Sequence, residues 1–222
     1  MKLRFIAKND IVVLDANMEI FRKNAKFWKL YCDILPVFSI VSNQNDMKVA
    51  LSELYAQKRN ELNACKLKYI SYWKFYKDKI LDAISSIFNC IIDDEIIANI
   101  SLAAIYTNNK SLKEFLLPFN ADKERFLGVC IHEILHYYID NKKEIETFFE
   151  TDEVVVKILS DLVSKISRIP FFASSYVFDE NYLEYSKREL EPFISAQDEL
   201  NNAMLRINEY VTNNNIKLKT DK

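Results

Sequence analysis

The 222-residue chain contains two histidines, and both fall in one short run, Gly128 to Asp140, which reads GVCIHEILHYYID. His132 and His136 stand four residues apart, and Glu133 directly follows the first. On a helix, residues four apart lie one turn above each other on the same face, so two imidazoles at this spacing can converge on one tetrahedral zinc ion. Glu133 then lies beside the open coordination position. A carboxylate there can take a proton from a water that the metal has made acidic, with a pKa of about 7, and pass it to a leaving amine. That is the chemistry of peptide hydrolysis, with one zinc ion per chain. Two histidines scattered at random would fall four apart with Glu after the first roughly one time in a thousand. The bland alternative, two histidines of a core or a surface, must also place them with a glutamate on an apolar helix, where unpaired polar groups are costly. Gly128, the only glycine, lies one turn before His132. In a helix interior it costs about 1 kcal/mol relative to Ala, and its bare backbone admits a close neighbour.

These residues need a helix and something to pack it against. The spacing predicts a helix that starts near Ala121 or Asp122 and carries the His-Glu-x-x-His run to about Asn141. A polar connection, NKKEIET, precedes a second amphipathic helix, DEVVVKILSDLVSKIS, with Val155, Ile158, Leu159, Leu162 and Ile166 on one side and Arg168-Ile169-Pro170 as its terminator. Upstream, ANISLAAIYT, Ala98 to Thr107, is the best strand candidate. The block Asp46 to Asn89 has neither Gly nor Pro and reads as one long helix, or two broken near NACK. Its aromatic run, Tyr69, Tyr72, Trp73, Phe75 and Tyr76, has the helical spacing of a packing surface rather than a base-stacking platform. Met1 to Leu14 suggests a small hairpin, Asp15 to Pro36 a helix, and PVFSIVS a short strand. The tail from Asp179 to Val211 has helical composition with an interruption at Pro192, and TNNNIKLKTDK reads as a frayed end.

Composition bounds the class. One glycine, four prolines and 50% hydrophobic residues fit an α+β, mainly helical chain and argue against a barrel or sandwich. We expect a single domain over 1–222: strands and helices in 1–90, a metal-site core in 91–178 and a helical tail in 179–222. A net charge of -2 lacks the basic excess that phosphate binding needs, so no nucleic-acid partner is expected. No apolar stretch is long enough to span a bilayer, and the first ten residues carry charges within their apolar run, so a cytoplasmic protein without a membrane partner is expected. Cys32, Cys65, Cys90 and Cys130 form no paired motif and read as reduced, buried small residues.

The run HEILH resembles the zincin superfamily of metallopeptidases, in which a strand precedes this helix and a following helix supplies a third ligand. The order ANISLAAIYT, GVCIHEILHYYID, DEVVVKILSDLVSKIS looks like that arrangement over the middle third of the chain. With Ile139 and Lys142 after the motif and no third histidine, the metzincin branch is excluded. The gluzincin, thermolysin-like branch takes its third ligand from a Glu, and its small prokaryotic members are the most similar. The matching stretch, KILSDLV, puts Asp161 at that position, so the resemblance implies Asp161 as third ligand in place of the usual Glu. Glu153, two turns earlier, is the alternative, although an acid in the first turn of a helix is favoured by the macrodipole alone. Asp140, one turn past His136, reads as a helix-end residue or a partner that orients a ligand.

A peptidase also needs a donor for the oxyanion of its tetrahedral intermediate. Tyr176, Tyr182 and Tyr185 are candidates, with Arg168 a further one. The expected function is zinc-dependent hydrolysis of a peptide or protein substrate, with Glu133 as general base. The alternatives are a non-catalytic zincin-like binding or regulatory protein, with or without a structural metal, and a helical interaction module that binds no metal.

Overall fold

The computed structural model describes residues 2–6, 29, 32, 44–90, 94–102, 108–109, 113–171, 176–196 and 200–220. The hairpin partner expected at 11–14, the strand expected at 36–42 and nearly all of the helix expected between Asp15 and Pro36 lie outside them. Lys29 and Cys32, from that helix, are helical. The architecture is mainly helical with a small, largely parallel sheet. The chain divides into two compact units, Met1–Lys74 with Asp94–Asp122, and Phe75–Asp93 with Lys123–Lys222.

The first unit holds the sheet. Strands β1 (Lys2–Ile6), β2 (Glu95–Ser101), β3 (Asn108–Asn109) and β4 (Glu114–Pro118) lie in the order β1-β2-β4-β3. β1 pairs in parallel with β2, Leu3 opposite Ile96. β2 pairs in parallel with β4, Ala98 opposite Phe115, and β3 runs antiparallel to β4. β1 buries Leu3 and Phe5 and exposes Lys2 and Arg4, the alternation of a strand with one covered face. β2 buries Ile96, Ala98, Asn99, Ile100 and Ser101, the near-continuous burial of a strand covered on both sides. It begins at Glu95, three residues before the predicted start.

The block after Asp46 is two helices, α1 (Gln44–Gln57) and α2 (Arg59–Phe88), divided at Lys58 rather than near NACK. Leu62 and Cys65 are buried there, so packing carries the helix through a stretch whose local propensity is indifferent. Tyr55 accepts a hydrogen bond from the Leu102 amide at 3.0 Å. Tyr69 donates to the Pro118 carbonyl at 2.5 Å and accepts from the Ala121 amide at 2.8 Å, which pins the turn after β4. Two members of the aromatic run, Tyr69 and Trp73, are therefore core, whereas Phe75 is exposed.

The second unit contains α3 (Lys123–Lys142), α4 (Phe149–Ser167), β5 (Tyr176–Val177), α5 (Glu180–Ala196), α6 (Leu200–Asn214) and β6 (Lys219–Thr220). α3 and α4 are buried along most of their length. Arg168, in the left-handed conformation at φ 57°, ends α4 two residues before Pro170. Pro192 does not interrupt α5: the backbone bond it forfeits is offset by burial of Leu190 and Phe193, the latter 5.8 Å from Phe88 between ring centres. Nor is the end of the chain simply frayed, because Lys219 and Thr220 pair with Val177 and Tyr176.

α4 begins without a side-chain cap of its own. Asn208 of α6 supplies the missing partners. Its Oδ1 accepts from the Phe148 amide at 3.0 Å and from the Thr151 hydroxyl at 2.6 Å, and its Nδ2 donates to the Glu146 carbonyl at 3.1 Å. Asn201, two turns earlier on α6, accepts from the Glu144 amide at 2.8 Å. The connection between α3 and α4 is thus stitched to a third helix. Asn208→Ala should lower unfolding free energy by about 2 kcal/mol, the cost of a lost cap and two further bonds at a half-buried site. Urea titration of the two proteins measures it.

Candidate metal centre

α3 and α4 bring three side chains to one point. His132 and His136 project from the same face of α3, their ring centres 4.7 Å apart and their planes crossed at 74°. Their Nε2 atoms are 3.2 Å apart. Glu153, on the first turns of α4, reaches both: Oε1 is 3.1 Å from His136 Nε2 and Oε2 is 3.5 Å from His132 Nε2. One ligand atom from each residue lies within 4.8 Å of the other two, so the set can hold a metal ion. His136 and Glu153 are buried and His132 is slightly more open.

The residues present donor atoms that a cation could share. Glu153 Oε2 is buried and makes no hydrogen bond among the described residues, a costly state for a carboxylate oxygen. The two Nε2 atoms face each other across 3.2 Å, close enough for a single divalent ion to take a lone pair from both and from the carboxylate. The donor set of two imidazoles and one carboxylate is one that zinc accepts with a position left open.

The electrostatics point the same way. Burial works against a charged His136, yet the hydrogen bond it donates to Glu153 and the charges of Glu153, Glu133 and Asp152 outweigh it and raise the imidazole pKa above its ordinary value. The site therefore attracts positive charge. Glu133 is itself buried, one residue on from His132, and its charge reaches His136. Cys130, fully buried on the same helix, has its thiol pushed well up by burial and by Glu133, which keeps it an inert core residue.

Among known proteins, no family model, curated protein or solved structure matches this chain.

Asp161, expected as third ligand, stands elsewhere. It lies two turns beyond Glu153 on α4, its side chain is 49% exposed, and it pairs with Lys157 on the surface. At 100° per residue, eight residues also carry it about 80° around the helix from Glu153, off the face that meets the histidines. The cluster is completed by Glu153, and α4 starts early enough to hold it inside the helix. The run Val154-Val155-Val156 directly after Glu153 is the one hint in the sequence: all three are fully buried, and Glu153 is buried with them.

The residues expected to stabilise an oxyanion are engaged in other contacts. Tyr182 is fully buried and donates to the Glu150 carbonyl at 2.8 Å, and burial pushes its hydroxyl pKa well up. It anchors α5 to the first turn of α4. Tyr185 stacks on Tyr210, ring centres 4.2 Å apart, and Tyr176 meets Phe149 edge-on at 5.6 Å. Arg168 caps the far end of α4, 15 residues and about 22 Å along the helix from Glu153. Asp140 pairs with Lys143 at 2.9 Å.

Proposed function

We propose that this chain is a zinc-dependent peptidase, with His132, His136 and Glu153 as metal ligands and Glu133 as general base. The observation that carries the reading is the convergence of His132 Nε2, His136 Nε2 and the Glu153 carboxylate on one point, with a second buried carboxylate adjoining them. The ligand types and their order along the chain are similar to those of the gluzincin branch, now with Glu rather than Asp in third place. No helix among the described residues is long and apolar enough to cross a membrane.

A zinc ion held by these three residues supplies Lewis acidity, polarising a carbonyl and making water nucleophilic near neutral pH. Glu133 accepts the proton of the attacking water as the new C–O bond forms at the peptide carbonyl. It then delivers that proton to the amide nitrogen as the C–N bond breaks, giving an amine and a carboxylic acid, which loses its remaining proton to solvent. The three carboxylates that act on His136 give the site a negative balance that a divalent cation relieves.

The test is a broad library of short peptides incubated with the zinc-loaded protein and read by mass spectrometry. Cleavage abolished by a chelator and restored by added zinc is expected. A zinc-loaded, folded protein that cleaves no member of the library, and that instead binds a protein partner, would turn the reading to a binding protein that uses metal for structure.

A further inference from the structure

Lys143 follows directly on α3 and folds back into the protein, its side chain 13% exposed. Its ammonium lies 2.9 Å from Asp140 Oδ1, 2.9 Å from each carboxylate oxygen of Asp152 and 2.8 Å from Thr147 Oγ1. The Thr147 hydroxyl in turn donates to Asp152 Oδ1 at 2.6 Å. Every partner has a fixed relation to the candidate ligands. Asp140 is one turn past His136 on the same helix, and Asp152 is the residue before Glu153. Thr147 belongs to the connection between the two helices.

We propose that Lys143 is the positioning residue of the metal centre: by joining Asp140 on α3 to Asp152 on α4, it sets the separation at which Glu153 meets the two histidines. This rests on the reading of His132, His136 and Glu153 as a metal site. The helix ends that carry His136 and Glu153 are joined by a six-residue connection, 143–148, without regular structure, whose backbone is tied to Asn201 and Asn208 of α6; among these contacts, it is Lys143 that joins a side chain of α3 to one of α4. An ammonium with three N–H groups, held by two carboxylates and a hydroxyl in a largely dry setting, fixes both ends at once. A metal ion tolerates little error in ligand position, and residues that orient ligands are typically worth ten- to hundredfold in metal affinity.

The sign of the effect separates this role from simpler ones. If Lys143 acted on the metal only through its charge, removing it would tighten binding, because an ammonium repels a cation. If it only stapled two helices for stability, its loss would lower the unfolding temperature of the metal-free protein and leave zinc affinity unchanged. The clamp requires weaker binding in spite of the lost positive charge.

The experiment titrates zinc against a chromophoric chelator in wild type and Lys143→Met, with cobalt as a spectroscopic probe and thermal unfolding of the metal-free proteins as a check on folding. Folded Lys143→Met should bind zinc ten- to hundredfold more weakly, with altered cobalt d–d bands. Equal or tighter zinc binding by Lys143→Met, with the wild-type cobalt spectrum, overturns the clamp. Wild type that binds neither ion overturns the metal reading itself, a separate failure. Should Lys143→Met fail to fold, Thr147→Val takes its place: it changes no charge, removes the hydroxyl between Lys143 and Asp152, and should weaken zinc binding about fivefold. Unchanged affinity in that variant overturns the proposal.

Discussion

Replacing Glu133 with glutamine should leave zinc bound and the fold intact while peptide hydrolysis falls by at least about a hundredfold, the lower end of what a positioned general base contributes. The expectation comes from where Glu133 stands. It is buried beside the two histidines without belonging to the three residues whose ligand atoms converge, so the metal site survives its loss. Glutamine keeps the side chain's size and removes the group that takes the proton. Zinc content and turnover, measured on the same preparation, separate the two roles. Hydrolysis by Glu133→Gln at the wild-type rate would assign the activity to another site or to a contaminant.

The second large effect concerns the third ligand. Glu153→Ala should weaken zinc binding by more than about a hundredfold, because even a residue that merely orients a ligand is worth ten- to hundredfold. Asp161→Ala should bind zinc as wild type does, its carboxylate being spent on Lys157 at the surface. Glu153→Asp should fall between the two, since a shorter carboxylate can bind only if α4 moves closer to α3. Competition titrations of the three variants decide it. The reverse pattern, with affinity lost in Asp161→Ala and kept in Glu153→Ala, would mean that α4 is rotated and shifted relative to α3 from the arrangement seen.

What was legible in the sequence was what depends on local spacing. The pairing of His132 with His136 needs only a helix, and the apolar run around them demands one. The second helix could also be read, from its periodicity. The third ligand could not be read in the same way, because it depends on how far along α4 the two helices meet. Periodicity gives the direction in which a side chain points but not the register between two packed helices. Of the stripe Val155, Ile158, Leu159, Leu162 and Ile166, the first three are buried, whereas Ile166 is 46% exposed and Val154 and Val156, outside the stripe, are fully buried. The parallel pairing of β1 with β2 escaped for a related reason: its partners are more than 90 residues apart, and no turn signal marks such a pairing. Pro192 shows the converse, a strong local signal overridden by the core contacts of its neighbours.

The central claim is that His132, His136 and Glu153 hold one metal ion. Its most direct test is the zinc content of wild type and His136→Ala, each purified without added metal, equilibrated with a slight excess of zinc and freed of unbound ion by gel filtration. Wild type should retain about one zinc per chain and His136→Ala, still folded, should retain almost none. Folded wild type that emerges free of zinc, or His136→Ala that retains a full equivalent, would contradict it.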